Sequence, residues 1–177
     1  MIVDLGSITH EPRHFHFDLQ PDWWLETGTG EQILGLKGPL CADITLYRAG
    51  QRFVLEGMLA GGLQIQCDRC LKSFNRDLKR TFRLYLAVPA PIGKQDDVEL
   101  TDQDLMMDFI RDDQLELDDI IREQIYLSLP MKCLCSENCA GLCPVCGCDL
   151  NQETCLCSKK TGHPAFSKLK HLKIKGV

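Results

Sequence analysis

Cysteines are the side chains with the clearest capacity for chemistry here, because 11 of the 177 residues are cysteine. The densest group contains the pattern Cys-Pro-Val-Cys-Gly at residues 143–147, followed closely by Cys155 and Cys157. Two thiolates separated by two residues can bind one ion from a tight turn, and a second close pair completes a tetrahedron of sulfur. The spacing predicts a zinc site with four ligands, Cys143, Cys146, Cys155 and Cys157. Iron ligation and free structural cysteines are the alternatives.

A second set of cysteines is divided between the middle and the end of the chain. Cys67 and Cys70 form another pair with two residues between them, and Cys135 and Cys139 form a looser pair. If all four bind one ion, the metal closes a loop of about sixty residues and ties the two regions together. Alternatively, Cys67 and Cys70 are a reduced pair, or Cys133 or Cys148 replaces one of the four ligands. The expected cofactor is one or two zinc ions. If both sites are filled, three cysteines have no ligand role: Cys41, Cys133 and Cys148.

Other chemistry has less support in the residues. The C-x3-C-x2-C spacing of residues 139–146 occurs in radical iron–sulfur enzymes, but these build a large barrel downstream and only 31 residues follow Cys146. Dithiol redox centres usually lie at strand-to-helix junctions, whereas each pair here is embedded in a metal-like cluster. Phosphate-loop, nucleophile-elbow and H-E-x-x-H motifs are absent. We therefore expect no enzymatic activity and no small-molecule substrate. His14 and His16 are expected to be surface residues and not ligands, and His163 is only an alternative to one of the cysteine ligands.

The sequence also indicates a compartment. An odd number of cysteines cannot pair completely within one chain, and the first residues lack a basic start followed by an apolar run. No stretch approaches the roughly 20 consecutive apolar residues that a membrane helix requires. We expect a protein of the reducing cytoplasm that has no membrane partner.

The first half of the chain must place Cys67 and Cys70. It alternates polar and apolar residues over several β-prone runs, which predicts a set of antiparallel strands. We interpret Gly61-Gly62 as a tight turn into a short strand that ends at Cys67.

A helix is predicted before the eight cysteines of residues 133–157. Residues 117–129 carry an apolar stripe at intervals of four, with Asp118 capping the first turn and Pro130 ending the pattern. The expected fold is α+β: a mainly antiparallel β region, one amphipathic helix and a Cys-rich zinc-binding C-terminal segment. The division is a β-rich domain over residues 1–130 and a Cys-rich segment with a basic tail over 131–177.

Charge is segregated along the chain, although the net charge is only -5. Residues 96–119 contain eleven acidic residues and one basic residue, which is typical of a solvated face. Residues 67–83 contain six basic residues, and residues 158–177 contain six lysines and no acid. Such clusters bind phosphate backbones with little base discrimination, although they also occur simply as solubilising surface. The candidate RNA-binding residues are Arg69, Lys72, Arg76, Arg80, Lys168, Lys170 and Lys173.

Several motifs together resemble one known family. They are the run Cys-Asp-Arg-Cys-Leu at residues 67–71 with Phe74, the predicted helix ending in Leu129-Pro130, and CSENCAGLCPVCGCDLNQETCLC at residues 135–157. The chain resembles the YceD family, the large ribosomal RNA subunit accumulation proteins. The resemblance implies a bacterial, cytoplasmic, non-enzymatic factor that supports accumulation, processing or assembly of large-subunit ribosomal RNA. Its expected partner is that RNA or its precursor, or a ribosomal protein.

This chain departs from the family pattern in two ways, and two other functions remain as alternatives. Many relatives continue with an Asp-Pro-Arg segment, whereas this chain has His-Pro-Ala at residues 163–165, and Cys133 and Cys148 are additions. A zinc-ribbon adaptor would bind protein only, through the acidic stretch. A thiol redox protein would expose a thiol of low pKa.

Overall fold

A computed structural model describes residues 1–27, 32–88, 107–110 and 113–157. A short 3-10 turn, Leu5–Ser7, follows the first strand. In chain order the strands and helices are β1 (Ile2–Asp4), β2 (Arg13–Leu19), α1 (Pro21–Thr27), β3 (Ile33–Leu36), β4 (Leu40–Ala49), β5 (Arg52–Gln66), β6 (Ser73–Ala87), β7 (Met107–Phe109), β8 (Gln114–Glu116) and α2 (Leu117–Leu127).

The main sheet of the described residues has the strand order β2-β4-β5-β6-β7, with β3 also paired to β5. All of these pairs are antiparallel except β6 and β7, which are parallel. A small separate sheet joins β1 to β8. The predicted α+β fold with a mainly antiparallel sheet is confirmed. Neither helix in the described part of the chain is long and apolar enough to cross a membrane.

The core lies on one face of the sheet. Along β4 the alternate residues Leu40, Ala42, Ile44 and Leu46 are buried and the residues between them are half-buried. Successive side chains of a strand point to opposite faces, so this alternation assigns the buried set to the core. Helix α2 contributes three buried residues to the same core: Leu117, Ile121 and Ile125.

The interpretation of Gly61-Gly62 as a turn is wrong, because β5 continues through both residues. At this point β5 changes its partner from β4, which pairs as far as Ala60, to β3, which pairs from Leu63. A Cβ on Gly61 would lie 2.8 Å from Cδ1 and 3.2 Å from Cα of Leu40. The glycine therefore permits the close approach of the chain that connects β3 and β4.

The role predicted for Asp118 is also wrong. Glu116 is the N-cap of α2 and makes no side-chain capping bond. The Asp118 carboxylate instead accepts a hydrogen bond from Trp23 Nε1 at 2.5 Å and pairs with the N-terminal amine. Burial raises the pKa of this carboxyl group, but these two partners outweigh burial and lower it. Asp118 thus joins α2 to α1, a helix that the sequence pattern did not predict.

Candidate metal centres

The first tetrad consists of Cys67, Cys70, Cys135 and Cys139, whose sulfurs all lie within 4.8 Å of one another. The sulfurs of Cys67 and Cys139 are 3.8 Å apart, and those of Cys70 and Cys135 are 3.6 Å apart. Neighbouring thiolates about 2.3 Å from a central ion would be about 3.8 Å apart in a regular tetrahedron. A disulfide would bring two sulfurs to about 2.05 Å. The spacing fits a tetrahedral thiophilic ion such as zinc.

The second tetrad consists of Cys143, Cys146, Cys155 and Cys157, which also lie within 4.8 Å of one another. The structure thus brings together both sets of sulfurs that the sequence spacing predicted. Their identity as metal ligands stays a prediction. Cys133 belongs to neither tetrad, since its thiol faces the Pro130 carbonyl 3.9 Å away.

Both tetrads are positioned by turns of the same design. In the first turn, which connects β5 and β6, Leu71 N–H donates to the Cys67 carbonyl and Cys67 N–H donates to the Lys72 carbonyl. In the second, Gly147 N–H donates to the Cys143 carbonyl and Cys143 N–H donates to the carbonyl five residues later. The residue after the second cysteine has positive φ in each turn, 59° at Leu71 and 75° at Gly147. With two residues between the cysteines, a turn of this kind points both sulfurs to the same side.

Leu71 gives a test of this turn. A left-handed conformation costs a residue with a Cβ about 1–2 kcal/mol, while glycine adds about 0.5–1 kcal/mol of unfolded-state entropy. Leu71 is 55 % exposed, so its side chain contributes little burial. We expect Leu71→Gly to raise the free energy of unfolding by about 0.5–1 kcal/mol, measured by urea denaturation of the metal-loaded protein. Leu71→Ala is the matched control and should not stabilise; a destabilised Gly variant would contradict this account.

One thiol in each tetrad has a lowered pKa, Cys67 in the first and Cys143 in the second. Burial raises the pKa of the Cys67 thiol, but backbone N–H groups directed at the sulfur outweigh burial and lower the pKa to about 6. The backbone N–H groups of Cys146 and Val145 lower the pKa of Cys143 to about 6. A backbone N–H lowers the pKa of Cys70, but burial and the neighbouring thiols raise it to about 12. Because metal ligands must be deprotonated, an ion bound by a tetrad would meet one thiolate already formed and would displace protons from the other thiols.

Two of the candidate RNA-binding residues make internal contacts beside the first tetrad. Arg69 Nη1 donates to the Cys139 carbonyl at 2.8 Å, and Lys72 Nζ pairs with Asp149 at 2.5 Å. Four thiolates around a divalent ion leave a charge of -2, which these cations would offset. The Asp149 pair also holds the C-terminal segment against the turn between β5 and β6.

The other candidates are distributed differently. Arg76 and Arg80 point to the face of β6 that also carries Leu78, whereas Lys79 and Arg83 point to the opposite face. Arg76 is exposed and Arg80 is half-buried. The four basic residues of β6 are therefore divided between the two faces of the sheet and do not form one continuous basic patch. The three lysine candidates Lys168, Lys170 and Lys173, and most of the acidic stretch, lie outside the described residues.

Sequence reasoning missed the polar residues that connect the tetrads. Asn151, which lies between Cys146 and Cys155 in the sequence, donates from Nδ2 to Cys139 Sγ at 3.5 Å and accepts from the Ala140 N–H at 2.7 Å. Asp68 accepts from the Cys133 N–H at 2.6 Å, and its own N–H donates to the Cys133 carbonyl. No spacing rule reports such contacts, because each joins segments that are distant in sequence.

Comparisons with known proteins agree on one family. The sequence pattern of the family described as large ribosomal RNA subunit accumulation protein YceD matches residues 55–173 of this chain. The match includes most of β5, all of β6 and α2, and all eight tetrad cysteines. No solved structure matches the chain.

Individual relatives are distant. The chain is 23 % identical over 146 residues to the maize protein named large ribosomal RNA subunit accumulation protein YCED homolog 1, chloroplastic, covering 69 % of this chain and 50 % of that protein. It is 20 % identical over 157 residues to the Arabidopsis thaliana protein of the same name, covering 76 % of this chain and 49 % of that protein. An uncharacterised protein of Mycobacterium leprae is 23 % identical over 126 residues, covering 71 % and 52 %. The chain thus spans about half the length of the curated relatives it matches.

Proposed function

Given that this chain belongs to the YceD family of large ribosomal RNA subunit accumulation proteins, we propose that it is a non-enzymatic cytoplasmic factor for accumulation, processing or assembly of large-subunit ribosomal RNA. The resemblance carried by the cysteine motifs is confirmed by the family match. The observation that carries the proposal is this match, which extends over both cysteine tetrads. The relatives' names support the RNA class involved.

Zinc has a structural role in this proposal. The sulfur spacing of the first tetrad suits a tetrahedral ion, and all four first-tetrad ligand positions are cysteines, the donors that structural zinc prefers. A closed set of four protein ligands leaves no position for a substrate, in contrast to catalytic zinc. The ion in the first tetrad would join the turn between β5 and β6 to the segment that follows α2.

Contact with RNA, its precursor or a ribosomal protein is proposed through the basic residues near that turn. Arg76 and Lys79 are exposed on opposite faces of β6, so together they sample both faces, and neither side chain is needed to hold the tetrads. Arg69 and Lys72 keep a dual role, since their charges lie at the surface beside the first tetrad while their internal contacts fix their positions. The metal would then determine where these cations stand.

The decisive experiment measures the ratio of mature large-subunit to small-subunit ribosomal RNA in cells depleted of this protein. Wild type is expected to restore the ratio, whereas Cys143→Ser/Cys146→Ser and Arg76→Ala/Lys79→Ala are not. Arg13→Ala, on strand β2 at the other edge of the sheet, is the matched control and should complement. Immunoblotting shows whether each variant accumulates.

An unchanged ratio on depletion would refute the ribosomal function. Complementation by Arg76→Ala/Lys79→Ala at normal protein level would refute the RNA-contact part alone. Association with ribosomal particles that survives nuclease treatment would favour the adaptor that binds only protein.

A further inference from the structure

We propose that His16, Asp18 and Cys41 form a third metal site, which takes a divalent ion of the zinc class on the solvent-facing side of strands β2 and β4. One donor atom from each of the three side chains lies within 4.8 Å of the others. The three residues lie outside the segment matched by the family, residues 55–173. The family match therefore assigns no role to these three residues.

Strand register explains why the three side chains meet. In the antiparallel pair of β2 and β4, His16 lies opposite Asp43 and Asp18 lies opposite Cys41. Residues two apart on a strand share a face, and directly opposite residues have neighbouring Cβ atoms. The four side chains thus form a rectangle on one face. Two adjacent strands supply it, so its shape does not depend on a loop.

Asp43 orients the His16 ring and, before an ion binds, also contacts the Cys41 thiol. Its Oδ1 lies 2.6 Å from His16 Nδ1, and its Oδ2 accepts the Cys41 thiol at 3.4 Å. A carboxylate can only accept, so Nδ1 carries the hydrogen and Nε2 of a neutral ring presents its lone pair. That Nε2 lies 3.6 Å from Asp18 Oδ2, close to the roughly 3.4 Å between nitrogen and oxygen ligands of one tetrahedral zinc ion. Carboxylate support of this kind is common behind metal-bound histidines.

Charge and access also suit a divalent cation. On binding, the Cys41 thiol releases its proton to solvent, so a neutral imidazole, one carboxylate and one thiolate contribute a charge of -2. This sum neutralises the ion without a further partner. The His16 and Asp18 side chains are 60 % and 63 % exposed, so the ion can enter from solvent. Three protein ligands leave a fourth position for water, unlike the closed tetrads.

The test counts zinc on the full chain with both tetrads loaded, by equilibrium dialysis and native mass spectrometry. We expect wild type to bind one more equivalent than His16→Ala or Cys41→Ser. His14→Ala is the matched control, because His14 lies on the same face of β2 but pairs with Thr45 at 2.9 Å, and it should keep that equivalent. Asp43→Asn should retain the stoichiometry and weaken the affinity about 10–100-fold, as expected for a positioning residue.

Two results would overturn the proposal. One is equal zinc content in wild type, His16→Ala and Cys41→Ser. The other is loss of the extra equivalent in His14→Ala, which would mean that the ion is bound by a ligand set other than the proposed one. Both results are independent of the ribosomal proposal, because the count is a difference between variants of one fold, and circular dichroism checks that this fold persists.

Discussion

Cys67→Ser/Cys70→Ser is expected to release the segment after Pro130 from the sheet while the sheet itself stays folded. The small apolar cluster at this junction consists of Cys67, Cys70 and Cys139 with a few half-buried neighbours. Structural zinc in small modules contributes about 10 kcal/mol or more of apparent free energy, far above what such a cluster supplies. The main core is built elsewhere, from the strands and α2. Loss of the ion should therefore unfold the junction alone.

Limited proteolysis and hydrogen exchange would measure this release. Cleavage is expected to move to residues after 130 in the variant, and a chelator should produce the same pattern in wild type. Cys41→Ser, which removes a ligand of the proposed sheet-face site but of neither tetrad, is the control and should leave the segment after residue 130 protected. A segment that stays protected in the metal-free protein would show that contacts other than the ion hold it.

Gly141→Ala is expected to produce the second largest effect. Gly141 has φ of +77°, and a Cβ there would lie 3.0 Å from the Arg69 carbonyl oxygen. That oxygen accepts a hydrogen bond from the Leu142 N–H at 3.1 Å. Strain of about 1–2 kcal/mol from the left-handed backbone adds to about 1 kcal/mol from the disturbed hydrogen bond. We expect a total loss of about 2–3 kcal/mol at the junction.

Gly147→Ala separates the two contributions. Gly147 has a similar φ of +75°, but a Cβ there would meet nothing within 4 Å. It should therefore carry the backbone strain without disturbing the Arg69 carbonyl. Amide exchange at Leu142 is expected to accelerate at least tenfold in Gly141→Ala and to stay near the wild-type rate in Gly147→Ala. Equal rates in both variants would refute the close-approach argument.

The cysteine arrangement could be predicted from sequence because its determinants are local. Two residues between cysteines suffice to point both sulfurs to one side, and the turns at Cys67 and Cys143 have the same hydrogen bonds. The alternating pattern of the first half likewise predicted the antiparallel sheet, since a strand that buries one face must alternate. The helix after residue 116 followed from its apolar stripe, although its capping did not.

The remaining features depend on what lies across from a residue, which only the tertiary structure decides. The sequence alone suggests that Gly61 is a turn residue, but in the fold it packs against the chain between β3 and β4. The sequence alone suggests that Lys72 is a free surface cation, but in the fold it pairs with Asp149 of the C-terminal segment. His16 and Cys41 are 25 residues apart, and only the register of β2 against β4 puts them on one face. Local spacing thus predicted the cysteine pairs. Strand pairing and the packing of the C-terminal segment determined the neighbours of Gly61, Lys72, His16 and Cys41.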